Sequence, residues 1–285
     1  MAGPPFLPLS APIFGLTETG GVKEFQEIEP NNSLTNAARI NIPILIHGRF
    51  IKPKDRDFYE LSLEKDQRLV FEGRTRSFGS PCDLFLRLYK ADGTQLAEAN
   101  VTGADEGNMT NTFTATGTYY LMVEELNLRG GPDFDYKVEI TPYRAGFALN
   151  VDTNRVEAAP DGSSEIKVTC VRRDYEGPIS LTLTDSGKRF EITNNIVPAK
   201  TNQIQLRITL PAELKPGEIL NFGILGEARI GETNFQTRAS TLPALRKEFP
   251  SMLYPPRELD GLIGLGVKVP SKRDKDSQEK PSAGE

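Results

Sequence analysis

Two short acidic stretches carry the residue types best suited to chemistry in this chain. The first is Glu27-Ile28-Glu29-Pro30-Asn31-Asn32; the second, one hairpin later, is Asp55-Arg56-Asp57-Phe58-Tyr59. In extended backbone alternate side chains share a face, so Glu27, Glu29 and Asn31 can point one way and Asp55 and Asp57 can do the same on the next strand. Together with Asn32 they form a set of hard oxygen donors. Calcium accepts six to eight such oxygens in irregular geometry, which a loop meeting a strand can supply. Pro-Asn-Asn-Ser is equally the composition of a turn, with Asn or Ser capping a short helical turn over Leu34 to Ala38 and the acids simply solvated.

Other chemistry finds little support. The single histidine, His47, lies in the apolar run that begins Ile44-Leu45-Ile46 and reads as a structural residue; one histidine also excludes a multi-histidine metal site. There is no G-x-S-x-G elbow for a nucleophile, no phosphate-binding loop and no dinucleotide glycine pattern, since Gly130-Gly131-Pro132 reads as a turn. Acids make up 39 of 285 residues, so carboxylate pairs arise by chance and do not by themselves signal glycoside hydrolysis. Tyr59, Tyr119 and Tyr120 are candidates for a sugar-stacking platform, although alternation between core and cross-strand partners accounts for them more simply. Asn31-Asn32-Ser33, Asn100-Val101-Thr102 and Asn108-Met109-Thr110 match the glycosylation acceptor pattern and are read as chance. The chain is expected not to be an enzyme.

The elements that must position these residues are strands. Short runs of Val, Ile, Leu, Phe, Tyr and Thr, punctuated by turn signals, extend from Ile44 to Ile140 and predict an antiparallel sandwich. Alternation predicts that Leu84, Leu86 and Leu88 face the core while Phe85, Arg87 and Tyr89 face outward. Asp92-Gly93 is the strongest hairpin turn, and a further strand is expected over Asn111 to Thr114. The pattern stops at Pro142-Tyr143-Arg144-Ala145-Gly146 and restarts at Phe147, predicting a second β-sandwich of immunoglobulin-like size, without the Cys and Trp core of antibody domains. The fold class expected is therefore all-β, with two tandem antiparallel sandwiches. The divisions are a leader or linker over 1–22, a sandwich over 23–143, a second over 144–241, an extended segment over 242–270 broken by prolines, in which Gly261 to Val269 either adds one last strand or packs as an extended strap, and a charged tail over 271–285 expected to be disordered.

Several motifs in order resemble the bacterial pre-peptidase C-terminal domain. They are Glu27-x-Glu29-Pro30-Asn31-Asn32, Gly48, Asp55-x-Asp57-x-Tyr59, the run from Cys82 to Gly93, and Gly117-Thr118-Tyr119-Tyr120-Leu121-Met122-Val123. The resemblance spans roughly Glu24 to Thr141. It implies a β-sandwich carried by secreted proteases and other exported proteins, with calcium held at Glu27, Glu29, Asn31, Asn32, Asp55 and Asp57. Calcium-binding members often carry Asp at the position of Asn32. The function implied is that of a non-catalytic extracellular or periplasmic accessory module, a spacer or an aid to stability or secretion within a larger exported protein. The alternatives are an adhesive module for extracellular protein or polysaccharide, or a domain attached to a secreted peptidase.

Length and composition agree with folded domains: 285 residues suffice for two cores, with 38% hydrophobic and 26% charged residues. A net charge of −5 and the lack of a basic stripe argue against nucleic acid as a partner. No run is long and apolar enough for a membrane span, and the proline-broken N-terminus is not a signal peptide; export, as the resemblance implies, then requires a signal upstream, and the alternative is that the start is genuine and the protein stays inside. Cys82 and Cys170 fall in different predicted domains and are expected to be separate buried thiols.

Overall fold

A computed structural model of the chain describes residues 22–99, 106–184, 190–252 and 254–269. The leader over residues 1–21, the tail over 271–285 and the Asn100-Val101-Thr102 acceptor pattern lie outside them. The chain divides between Arg144 and Ala145 into two compact units, each built of strands.

The first unit contains β1 (Lys23–Gln26), β2 (Ala38–Arg39), β3 (Ile44–Arg49), β4 (Arg56–Leu63), β5 (Arg68–Arg74), β6 (Leu84–Lys90), β7 (Gln95–Ala99), β8 (Asn108–Thr112), β9 (Gly117–Glu125) and β10 (Asp135–Pro142). One sheet has the order β1-β3-β10-β5-β8 and the other β2-β4-β9-β6-β7. Most pairings are antiparallel, but β1 and β2 join β3 and β4 in parallel. Period-two burial drives the packing: Tyr59, Leu61 and Leu63 of β4 and Leu84, Leu86 and Leu88 of β6 point into one core between the sheets. Phe85 faces outward as alternation requires, yet it too is buried, because the Arg87 guanidinium lies 4.2 Å from its ring centre. At the β6–β7 turn Gly93 has φ 82° and its N–H bonds the Lys90 carbonyl. The strand expected over Asn111 to Thr114 instead spans Asn108–Thr112, and Phe113 turns into the core.

The second unit contains β11 (Gly146–Val151), β12 (Arg155–Ala158), β13 (Ser163–Arg173), β14 (Ile179–Thr184), β15 (Glu191–Thr193), β16 (Ile196–Val197), β17 (Gln203–Thr209), β18 (Ile219–Ile230), β19 (Thr233–Arg238) and β20 (Ile263–Val267). The sheet β11-β13-β17-β15 faces the sheet β12-β20-β18-β14-β16 across a core of its own, with β19 pairing on β18. Of the alternatives for Gly261 to Val269, a last strand is what forms. After β19 come helix α1 (Leu242–Glu248) and then β20, which lies between β12 and β18 and buries Ile263, Leu265 and Val267. Pro243, which reads as a breaker in sequence, occupies the first turn of α1, where its missing N–H costs nothing.

Both cysteines are free and buried, one in each unit. His47 is structural in its setting: it sits on β3 with its Nε2 3.5 Å from Glu24 of neighbouring β1.

Candidate metal centre

The site begins with a glycine. In the β3–β10 pair Gly48 stands opposite Tyr136, and a Cβ on Gly48 would fall 2.2 Å from the tyrosine ring. The ring therefore occupies the space of the missing side chain, and the phenol reaches the acids. The Tyr136 hydroxyl donates to Asp57 Oδ2 at 2.7 Å and lies 2.6 Å from the hydroxyl of Tyr59. Both tyrosines are buried, and their titration is pushed well above the usual range by burial. Tyr119 is also buried, with its hydroxyl on the Ala115 carbonyl, so neither Tyr59 nor Tyr119 can serve as a stacking platform.

The loop after β1 folds over this pair. Glu27 accepts the Arg49 N–H at Oε2 (2.6 Å) and the Asn31 amide at Oε1 (3.2 Å). Glu29 Oε2 accepts the backbone N–H of Asn31 and the side-chain amide of Asn32, at 2.9 and 3.0 Å. The Glu29–Pro30 bond is cis, and the Asn31 carbonyl accepts the N–H of Phe58, which ties the loop to β4. On the β3–β4 loop Asp55 Oδ2 accepts the N–H of Ile51.

These contacts bring oxygens of Glu27, Glu29 and Asp57 within 4.8 Å of one another. Three further facts bear on what that cluster can hold. Asn31, Asp55 and Asp57 are 0%, 2% and 0% exposed, and each retains one side-chain oxygen (Oδ1) with no hydrogen-bond partner. A buried acceptor left unpaired costs about 1–3 kcal/mol, more if charged, and a cation in the cluster would satisfy that of Asp57; Asp55 is not among the three acids whose oxygens converge. Burial foremost, then the neighbouring Glu27 carboxylate, pushes Asp57 up to about 10. Glu27 is raised too, chiefly by burial. Either a proton or a bound divalent ion would relieve this crowding of buried acids.

The donor set fits calcium: oxygen ligands alone, carboxylates mixed with an amide, and loop geometry without a fixed polyhedron. Glu27, Glu29, Asn31 and Asp57 would hold the ion, while Asn32 uses its amide nitrogen to fix Glu29. Sequence reasoning missed Tyr136. It lies far along the chain from the acids, and only the glycine across the strand pair hints at it.

Comparison with known proteins bears on the same segment. Residues 55–125 match the bacterial pre-peptidase C-terminal domain. The matched part of the first sandwich includes Asp55 and Asp57 but not the loop from Glu27 to Asn32. No curated protein sequence matches the chain. Among solved structures, a DUF4785 family protein from Legionella pneumophila subsp. pneumophila str. Philadelphia 1 is similar at 11% identity, over 70% of this chain and 61% of that one, with a TM-score of 0.23. Bifidobacterium dentium beta-glucuronidase complexed with coumarin-3-O-glucuronide is similar at 11% identity, over 64% of this chain and 38% of that one, with a TM-score of 0.30. The chain spans less than two thirds of either structure, and neither superposition is close enough to define its fold.

Proposed function

We propose that the chain is a non-catalytic accessory module of a larger exported bacterial protein, acting outside the cytoplasm, and that calcium clamps its first sandwich. The second sandwich, which we read as immunoglobulin-like, extends the module as a spacer. What supports this reading above all is the convergence of Glu27, Glu29 and Asp57, with buried Asn31 bonded to Glu27 and an oxygen of Asn31 and of Asp57 left without a partner. A cation there links the loop after β1 to β4, so the ion's binding energy becomes stability of the sandwich. The match to the bacterial pre-peptidase C-terminal domain supports the accessory role.

The test is a thermal melt of the full chain in EDTA and in calcium at about 5–10 mM, well above the weak extracellular range of calcium affinities. A ligand at a hundredfold excess over its dissociation constant adds about 2.7 kcal/mol, which amounts to several degrees for a unit of this size. The wild type should gain that shift, and Glu29→Gln combined with Asp57→Asn should abolish it. An unshifted wild type removes the calcium reading; a shift that survives in the double variant moves the ion elsewhere.

A further inference from the structure

The first sandwich is polarised along its strands. Its large exposed apolar side chains among the described residues are Ile28 (68% exposed), Ile51 (60%), Leu126 (42%) and Phe78 (39%). All four sit on loops at one end: after β1, between β3 and β4, between β9 and β10, and between β5 and β6. The described loops at the other end, 64–67, 91–94 and 113–116, carry none. Single exposed apolar residues are ordinary, but four collected at one end of one domain are a surface.

The apolar end is also the metal end. Ile28 stands between Glu27 and Glu29, and the N–H of Ile51 is bound by Asp55. Ile51 is followed by Lys52 and Lys54, both exposed and making no ion pair. The loop that carries them is held firmly: Gly131 N–H bonds the Phe50 carbonyl, Lys54 N–H bonds the Leu128 carbonyl, and Gly130 packs on the Lys52 backbone so closely that a Cβ would lie 2.3 Å from its oxygen. Both covalent connections leave from the opposite end. β1 starts level with Ile44 at the beginning of β3, and β10 finishes level with Leu69 near the beginning of β5. The metal end is therefore the end from which the described chain neither enters nor leaves the sandwich.

We infer that this end docks on an anionic lipid surface, with Ile28 and Ile51 entering the headgroup layer and Lys52 and Lys54 meeting the lipid charge. The tips are separate side chains on four loops, which suits a fluid interface better than the shaped face of a protein partner. Free lysines beside apolar tips are the complement of an acidic headgroup layer. The role of calcium in this docking rests on the metal reading above: filling the site offsets carboxylates that would otherwise repel the same lipids.

The experiment is co-sedimentation of the full chain with vesicles of phosphatidylcholine, alone or mixed in equal parts with phosphatidylglycerol, in calcium and in EDTA. The wild type should sediment with the mixed vesicles in calcium and less so in EDTA. Ile28→Ser with Ile51→Ser should weaken this by about tenfold or more, given the transfer energy of two aliphatic side chains, while keeping the calcium-dependent melt. A wild type that shifts its melt with calcium but stays in the supernatant overturns the docking surface and leaves the metal reading intact. Binding that ignores the isoleucine changes, or that is equal on phosphatidylcholine alone, also overturns it. Isoleucine-dependent binding to the mixed vesicles without any calcium effect upholds the surface and removes the metal from it.

Discussion

Asp57 illustrates how a single residue ties the site to the stability of the fold. Its carboxyl is raised from 3.8 to about 10 by burial and by Glu27, with Asp55 adding a smaller push in the same direction and the Tyr136 hydroxyl opposing it. For an acid raised in the folded state, the stabilising contribution is complete below the unfolded value and is lost as pH climbs toward the folded one. The metal-free protein should therefore melt several degrees lower at about pH 8 than at about pH 5. Calcium competes with that proton, so the calcium-induced rise should be larger at the higher pH. Asp57→Asn cannot titrate, and melts of this variant should lose most of both trends; a variant that keeps them places the titration on another group.

At the scale of elements, β20 carries more than its position near the end of the chain suggests. It supplies Ile263, Leu265 and Val267, at 1%, 0% and 3% exposure, to the core of the second unit. The connector before it is stitched closed: Asp260 Oδ1 accepts from the Ser240 hydroxyl and the Thr241 N–H, and the Thr241 hydroxyl donates to the Leu259 carbonyl. Each buried aliphatic side chain is worth about 1.5–3 kcal/mol, and three of them approach the about 5–15 kcal/mol that holds a whole domain. Ending the chain after Glu248 should unfold the second unit and leave the first folded. The two thiols report the outcome: Cys170 should become reactive to a thiol reagent while Cys82 stays protected. Equal protection of both would mean that β20 is dispensable.

For the whole molecule, each unit has its own sheets and its own core, and the division at Arg144/Ala145 coincides with the break in strand pattern. We propose that residues 22–144 and 145–269, expressed separately, each give a cooperative melt, with only the first responding to calcium. If neither piece melts cooperatively, the two units do not fold independently. Among the described residues no helix is long and apolar enough to cross a membrane.

Strand type, the inward leucines of β6 and the Asp92-Gly93 turn were legible in the sequence because they depend on local alternation and on one residue's backbone freedom. The meeting of Glu27, Glu29 and Asp57 has another origin than strand alternation, because Glu27 and Glu29 lie on the loop after β1 and Asp57 on β4 of the other sheet. The parallel docking of β1, the insertion of β20 between β12 and β18 and the helical role of Pro243 were not legible, because each depends on a distant partner that no local spacing encodes. The same holds for the inner side of the site. Only the packed sandwich sets Tyr136 in the gap left by Gly48, turns one oxygen of Asp57 toward it and leaves the other without a partner. Sequence determined which oxygens were available; tertiary structure decided which of them remain unsatisfied, because hydrogen-bond satisfaction belongs to the folded neighbourhood and not to the chain.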